Sequence, residues 1–309
     1  MSEKQILRVD SLTKEIKRQP TFLALGSFDG VHLGHQTVIG NMVEAATQSG
    51  VRSAVMTFFP HPKRVLQNLQ DRYYINTLDD REALLAGLGV DLVITHRFDE
   101  NLRMTSADDF IQQLCRILDM KQIWGRDFAF GYNREGNLSF LRRTGLEHGF
   151  SVQKVESMVL FDNRPVSSSR IRESLETGKI DDVNGCLGRS YTLRGHVAKG
   201  DQRGRTIGFP TANLDLWEEL LLPANGVYAT YAWIEGRRFA AATNVGVRPT
   251  VNGGDRVVEA HLLNFSDDLY GQTVKLEFVA YLRPEMKFSG LDSLKKQIAA
   301  DVLEVEELL

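Results

Sequence analysis

The chain has 309 residues, about twice the length of a typical single domain, and this length predicts two domains. Its 37 Lys and Arg residues against 40 Asp and Glu residues give a net charge of −3. That balance argues against a generally basic protein that binds nucleic acid or an anionic membrane. Cys115 and Cys186 form no closely spaced pair, so the sequence predicts neither a disulfide framework nor a cysteine-based zinc site, and it favours the reducing cytoplasm.

The first eight residues and the hydropathy pattern bear on targeting. These eight residues mix acidic and basic side chains without an apolar run, so no signal peptide is expected. No stretch of about 18 apolar residues occurs along the chain, so we expect no membrane-spanning helix and no membrane partner.

The first half of the chain, from residue 21 to about 185, alternates short apolar runs with helical spacing. The predicted strands are 22–26, 55–59, 91–95, 123–124 and 151–155, and the predicted helices are 34–48, 79–88 and 106–118. Because nearly continuous apolar strands alternate with helices, we expect a parallel sheet with helices on both faces. The first half is therefore predicted to be a Rossmann-like α/β domain.

The second half changes to strands without intervening helices. The predicted strands are 191–197, 206–214, 226–234, 239–247, 257–265 and 274–282. Strands at this spacing favour a closed, six-stranded antiparallel barrel. A final helix from about Ser289 has an apolar stripe with Asp301 off it, and we expect this stripe to cap the barrel. The predicted domains are 1–185 and 186–309.

The segment from Gly26 to His35 directly follows the first predicted strand and opens the first helix. At such a junction, backbone N–H groups and the helix dipole favour anions such as phosphates. Gly26, Gly30 and Gly34 let the backbone and a ligand approach closely. His32 and His35 are three residues apart at a helix start, so their rings are expected on one face, where they can donate hydrogen bonds to a phosphate.

This segment, GSFDGVHLGH, resembles the HxGH motif of the nucleotidylyltransferase superfamily. Its GxFDGxHxGH form is similar to that of bacterial bifunctional riboflavin kinase/FAD synthetases. The resemblance implies that His32 and His35 stabilise the α-phosphate of ATP while a substrate phosphate attacks and pyrophosphate leaves. Such a reaction depends on positioning and on charge stabilisation. Further ATP-binding positions implied by the resemblance are Gly26, Phe28, Asp29 and Gly34.

Three further segments of the first half match the same family. Residues 57–62 resemble its F-x-P-H-P loop and residues 125–131 its G-x-[ND]-F-x-F-G segment, which implies that His61 and Asp127 lie near the nucleotide or flavin. Residues 167–172 resemble the SSTxIR motif, in which Ser168 and Arg172 would hold the phosphates of ATP. Ser169 stands where the family usually has Thr, and it retains the hydroxyl.

The string GDQRGRTIGFPTANL, residues 200–214, is the most specific feature of the second half. A glycine-rich loop with two arginines suits binding of phosphates. Thr211 and Asn213 alternate by two along a strand, so their oxygens are expected on one face, where they suit Mg²⁺. The string resembles the riboflavin kinase signature GxxxGRxxGFPTANL, which implies that the phosphates of ATP are bound by Gly200, Arg203, Gly204 and Arg205.

The later segments complete this resemblance, which covers roughly residues 20 to 305. It implies that Glu259 is the general base that accepts the 5′-hydroxyl proton of riboflavin as the hydroxyl attacks the γ-phosphate of ATP. Arg283, in the matching segment 281–288, is predicted to bind the flavin. We therefore expect Mg²⁺ with ATP as co-substrate, and FMN and FAD as substrate and product rather than prosthetic groups. Expected partners are riboflavin, FMN and ATP, with no nucleic acid and no obligate protein partner.

Two alternatives stay open at this point. The first is another nucleotidylyltransferase, acting on a sugar- or pantetheine-phosphate, fused to a flavin-binding barrel. The GRTIGFPTANL string and the segment around Glu259 argue against it. The second is a barrel that binds a flavin or nucleic acid without catalysis; the net charge and the lack of a basic, aromatic pattern argue against nucleic acid.

Overall fold

A computed structural model describes residues 5–9, 16–199, 207–250 and 253–309. The chain forms two compact units. One is built from the residues up to Asp71 together with Thr77–Val166, and the other from Arg72–Asn76 together with Ser167–Leu309. Apart from residues 72–76, the boundary between the two units therefore lies between residues 166 and 167. The predicted division of the two activities at 185/186 stays a prediction.

The first unit is an α/β structure whose six-stranded sheet has the order β1-β4-β3-β2-β5-β6, with every neighbouring pair parallel. Its strands are β1 (Gln5–Val9), β2 (Pro20–Leu25), β3 (Arg52–Phe59), β4 (Leu92–Arg97), β5 (Asp119–Gly125) and β6 (Ser151–Lys154). Its helices are α1 (Leu33–Ser49), α2 (Pro62–Gln67), α3 (Leu78–Gly87), α4 (Glu100–Met104), α5 (Ala107–Ile117) and α6 (Leu138–His148). A short hairpin follows, formed by β7 (Leu160–Phe161) and β8 (Arg164–Pro165). The predicted parallel α/β fold is confirmed.

Both faces of this sheet are covered by apolar side chains. Alternate strand residues such as Leu23 and Met56 pack with Phe110 of α5 on one face. Their neighbours in the strands, such as Ala24, pack with Ile39 of α1 on the other face. Because side chains of a strand alternate between its two faces, continuously apolar strands are what a sheet covered on both faces requires.

The edge strand β1 was not predicted. It runs parallel to β4, with Ile6 opposite Val93. None of its five residues is fully buried, and the run is too short and too polar to stand out as a strand. Its extended conformation depends on hydrogen bonds to β4, a partner about 85 positions later in the chain, so no local pattern identifies it.

The second unit contains α7 (Ser168–Glu176) and α8 (Ile180–Leu187), followed by a closed antiparallel barrel of order β10-β13-β12-β11-β14-β9. The barrel strands are β9 (Tyr191–Ala198), β10 (Ala212–Asp215), β11 (Gly226–Ile234), β12 (Arg237–Thr250), β13 (Gly253–Leu262) and β14 (Thr273–Arg283), and the last helix is α9 (Leu291–Leu308). The predicted six-stranded barrel with a C-terminal helix is confirmed.

Helix α9 packs against the barrel, as expected. Its Val305 is fully buried in a cluster with Ala229 and Leu263. Asp301, which the pattern placed off the apolar stripe, is also buried, and two hydrogen bonds from the guanidinium of Arg283 to its carboxylate compensate for the loss of water. Of the described helices, α9 included, none is long and apolar enough to cross a membrane.

Candidate active sites

The turn between β2 and α1 folds its side chains back over its own backbone. A Cβ on Gly26 would lie 3.0 Å from the ring of Phe28, and one on Gly34 would lie 3.1 Å from the ring of His32. Phe28 and Val31 adopt left-handed backbone conformations, with φ of 47° and 41°. For a bulky and for a β-branched residue this conformation is unfavourable, so the surrounding structure must hold the turn in place.

His32 is the N-cap of α1. Its Nδ1 accepts a hydrogen bond from the backbone N–H of His35 at 3.3 Å. Because a neutral imidazole that accepts through Nδ1 carries its proton on Nε2, this contact makes the Nε2–H of His32 a hydrogen-bond donor. The cap thus also determines which nitrogen can donate to a ligand.

The ring of His35 stacks on that of His32, with centroids 3.6 Å apart and planes inclined by 17°. Phe28 contacts His35 edge-on at 5.2 Å. Burial is the main cause that holds the pKa of His35 well below its usual value of 6.5, followed by repulsion from the charge that His32 carries when protonated and from the charge of Arg81. His35 is therefore neutral at physiological pH, and its ring can donate a hydrogen bond without a positive charge of its own.

Arg81, on α3, lies against this turn and was not found by the sequence analysis. Its guanidinium pairs with Asp29 at 3.2 Å and donates to the carbonyl oxygens of Ser27 and Phe58, each at 3.3 Å. The signal that identifies Arg81 is its helical position: Arg81 and Glu82 occupy the buried face of α3 together with Leu85. A charged residue at a core position of an amphipathic helix is rare unless it is paired with a residue of opposite charge.

A cavity of about 560 Å³ in the first unit is lined by two of the predicted site residues, Gly26 and Asp127. Gly26 and Ser27 of the turn line it, and so does Asp127, whose exposed carboxylate lies 3.6 Å from the guanidinium of Arg126. The aromatic side chains in its wall are those of Phe58, Phe98, Phe110, Phe128, Phe130 and Tyr132. Such a cavity suits a flat, largely apolar ring system.

His61 is placed next to this cavity rather than in its wall. It is the N-cap of α2, and its Nδ1 accepts a hydrogen bond from the backbone N–H of Lys63 at 3.1 Å. The following residue, Pro62, lines the cavity. The cap leaves Nε2 of His61 as the ring nitrogen that carries the proton.

Ser168 and Arg172 lie on α7, which belongs to the second compact unit. The side chain of Ser167 caps this helix. Arg172 donates from Nε to the carbonyl oxygen of Tyr73 at 2.9 Å, and its guanidinium lies 3.9 Å from the centre of the Tyr73 ring. Their binding of ATP phosphates stays a prediction.

In the barrel, Glu259 stands between two asparagines. Asn213 of β10 and Asn244 of β12 are its cross-strand neighbours in β13. The residues on either side of Glu259, Val258 and Ala260, are buried in the barrel, so its carboxylate faces away from the barrel interior. Asn244 could not be identified from the sequence, because the register of β12 and β13 has no local signal.

The predicted Mg²⁺ ligands suit that ion. Asn213 is adjacent to Glu259 across the strands, and Thr211 precedes β10 by one residue. A hydroxyl, an amide oxygen and a carboxylate are oxygen donors, which Mg²⁺ prefers. Four predicted phosphate-binding residues lie outside the described part of the chain: Gly200, Arg203, Gly204 and Arg205.

Arg283 is placed at the end of β14, where Asp301 of α9 holds its guanidinium by two hydrogen bonds of 2.6 and 2.7 Å. The side chain of Arg283 also donates to the carbonyl oxygen of Pro284. This pairing gives Arg283 a structural function in joining α9 to the barrel. Its contact with a flavin stays a prediction.

Two family models divide the chain between them. A model described as FAD synthetase matches residues 14–170, and one described as riboflavin kinase matches residues 187–309. The fold agrees with this division, since an α/β half with a histidine pair at a helix N-terminus precedes an antiparallel barrel. Fold and matches together define the chain as a two-part transferase, with a nucleotidyltransferase half and a kinase half.

Similar proteins cover nearly the whole chain. A bifunctional riboflavin kinase/FMN adenylyltransferase from Haemophilus influenzae is 38% identical over 91% of this chain and 91% of its own length. Its counterpart from Listeria monocytogenes is 35% identical over 90% and 89%. A solved structure described as a macrolide-efflux protein from Streptococcus pneumoniae has a TM-score of 0.90 at 29% identity and covers 97% of this chain and 98% of that one. The chain belongs to the bifunctional riboflavin kinase/FMN adenylyltransferase family.

Proposed function

We propose that the chain converts riboflavin into FAD in two consecutive steps that each consume ATP. In the first, the 5′-hydroxyl of riboflavin attacks the γ-phosphorus of ATP, ADP leaves and FMN forms. In the second, a phosphate oxygen of FMN attacks the α-phosphorus of another ATP, the bond to the β-phosphate breaks and pyrophosphate leaves. Membership of the family supports both steps, and each half of the chain has its own candidate site.

The observation that carries the second step is the stacked pair of His32 and His35 at the N-terminus of α1. The Nε2–H of His32, a neutral His35 and the first amides of the helix are hydrogen-bond donors that suit a phosphate. Charge that moves from the α-phosphorus to the leaving pyrophosphate is stabilised by donors already in position. No covalent enzyme intermediate is needed, so positioning carries the catalysis.

We assign the isoalloxazine ring of FMN to the cavity of the first unit. The aromatic side chains in the cavity wall match a flat ring, and Gly26 and Ser27 connect the cavity with the turn that carries the histidines. Asp127, in the cavity wall, and His61, next to it, are the proposed polar contacts to the flavin or nucleotide.

For the kinase step, Glu259 is the proposed general base. It accepts the proton of the 5′-hydroxyl as the oxygen attacks. Thr211 and Asn213 would hold Mg²⁺, and the bound ion would neutralise negative charge on the phosphates of ATP. By resemblance, the phosphates are bound by Gly200, Arg203, Gly204 and Arg205.

Further residues belong to the two proposed sites. Ser168 and Arg172 bind ATP phosphates for adenylylation, and Arg283 binds the flavin in the barrel. The substrates are riboflavin, FMN and ATP, the location is cytoplasmic, and the activities divide at 185/186.

One assay tests the proposal. Purified protein is incubated with riboflavin, Mg²⁺ and ATP, and FMN, FAD, ADP and pyrophosphate are measured over time. We expect ADP to appear with FMN, and pyrophosphate to appear with FAD. ADP and FMN without FAD would leave only the kinase step standing, and no turnover at all would favour a binding protein.

A further inference from the structure

Arg81 is a buried cation in a place where a charge is unfavourable unless it is paired. The side chain of Arg81 is 0% exposed, and that of its partner Asp29 is 1% exposed. Such a pair contributes little to stability compared with well-packed apolar side chains, because both charges lose their water. Its presence therefore points to a task other than stabilising α3.

The acceptors of Arg81 lie on both sides of Phe28. The carbonyl oxygen of Ser27 precedes Phe28, and the carboxylate of Asp29 follows it. The third acceptor, the carbonyl oxygen of Phe58, lies near the end of β3. The planar fork of a guanidinium can reach several acceptors in fixed directions, which the compact ammonium of a lysine cannot do.

The conformation held by these contacts is unfavourable in itself. Phe28 has a φ of 47°, and Val31 a φ of 41°. A second side chain supports the same turn, since the hydroxyl of Thr57 donates to the carbonyl oxygen of Ser27 at 2.9 Å. Because the ring of Phe28 contacts His35, relaxation of the turn would move the surroundings of the histidine pair.

We propose that Arg81 is a positioning residue for adenylyl transfer, which holds the turn between β2 and α1 so that His32 and His35 keep their places at the start of α1. The inference rests on the proposed adenylyltransferase function of this turn. Arg81 acts through Ser27, Asp29 and Phe58 rather than through a contact with substrate. Its charge also helps to keep His35 neutral.

The test compares Arg81→Met, which removes the charge, with Arg81→Lys, which keeps it. Since a misplacement of about 1 Å can cost about 100-fold in rate, we expect Arg81→Met to lower kcat for FAD formation from FMN by about that factor, with KM for FMN nearly unchanged. Arg81→Lys should recover part of the loss. Riboflavin phosphorylation by the same samples should stay at the level of the unmodified protein.

Arg8→Met is the matched control for a mere loss of stability. Arg8 pairs with Asp79 and Glu82, both on α3, and its hydrogen bonds go to no residue of the turn. We expect Arg8→Met to lower the thermal midpoint of the first unit while kcat for FAD formation is retained. A fall in kcat equal to that of Arg81→Met would overturn the proposal, because it would show that destabilising α3 is enough.

Thr57→Val keeps the proposal testable even where Arg81→Met does not fold. Thr57 and Arg81 donate to the same carbonyl oxygen, so the effects of Thr57→Val and Arg81→Lys on kcat should be non-additive. Additive effects would overturn the inference. If the unmodified protein makes no FAD, the proposed function itself fails; if it makes FAD and folded Arg81→Met matches it, the inference about Arg81 alone fails.

Discussion

His32 and His35 lie ring on ring, with centroids 3.6 Å apart, and the first of them also caps the helix on which the second stands. Two imidazolium rings at this distance would repel each other strongly, so the pair cannot hold two positive charges at modest cost. The cap determines the tautomer of His32, and burial keeps His35 neutral. Both rings are therefore prepared as hydrogen-bond donors before any substrate arrives.

Replacing His32 tests this arrangement. We expect His32→Ala to lower FAD formation from FMN by about 100- to 1,000-fold, the usual effect of removing a donor to a developing charge, and to leave FMN formation from riboflavin intact. His32→Asn is the matched variant, because Asn is a good N-cap. The two variants should lose activity alike, while the Ala variant unfolds more easily by about 1 kcal/mol. FAD formation at the normal rate in His32→Asn would show that the imidazole ring of His32 does not take part in catalysis.

The lowered pKa of His35 predicts how stability depends on pH. In the unfolded chain the imidazole titrates near its ordinary pKa of about 6.5, whereas in the folded protein it stays neutral to a lower pH. Below about pH 6.5 the unfolded state therefore binds more protons. The contribution of His35 is fully present above that pH and falls as the pH drops, by up to about 1.4 kcal/mol per pH unit, until the folded pKa is passed.

Urea unfolding at about pH 7.5 and about pH 5.5 measures this contribution on either side of the ordinary pKa. Fluorescence of Trp124 reports on the first unit once Trp217 and Trp233 are replaced by Phe. His35→Gln in this background should lose less stability on acidification than its parent, whereas His148→Gln, at an exposed position of α6, should behave like the parent. Equal losses in parent and His35→Gln would contradict a buried, neutral His35.

Glu259→Gln should affect the kinase step and spare the adenylyltransferase step, the reverse of the His32 variants. It keeps the shape of the side chain and removes the base, so FMN formation from riboflavin should fall by about 100- to 10,000-fold. FAD formation from supplied FMN should continue at its normal rate. Glu277→Gln is the control: this carboxylate of β14 pairs with Lys275, and its loss should leave both steps unchanged. Normal riboflavin phosphorylation by Glu259→Gln would exclude Glu259 as the base.

A bulky residue in the cavity of the first unit tests the flavin assignment. Ala129 lines this cavity, and Ala129→Trp would fill part of the space given to the isoalloxazine ring. We expect KM for FMN to rise at least about tenfold, with riboflavin phosphorylation unchanged, because a lost fit in an apolar pocket typically costs about 1–3 kcal/mol. Leu146→Trp, at a site on α6 that is 88% exposed, should change neither. An unchanged KM in Ala129→Trp would place the flavin elsewhere.

Local patterns determined much of this protein. The apolar runs and helical spacings identified the α/β half and the barrel, because the burial of each face repeats every two or about 3.6 residues along the chain. The turn from Gly26 to His35 could also be predicted, because its glycines and histidines lie in one continuous segment between a predicted strand and a predicted helix. The sequence alone therefore led to the fold class, to the family and to the histidine pair.

Only the tertiary structure decided which distant groups meet. Arg81 pairs with Asp29, which lies 52 positions away in the chain. Asn244 becomes a neighbour of Glu259 through the register of two strands. Asp301 of α9 is hydrogen-bonded to Arg283 of the barrel strand β14. Residues Arg72–Asn76 join the second compact unit although the residues before and after them belong to the first. In each of these relationships the environment of a side chain is determined by residues that are far away in the chain. The local periodicity of the sequence therefore does not predict which residues will pair.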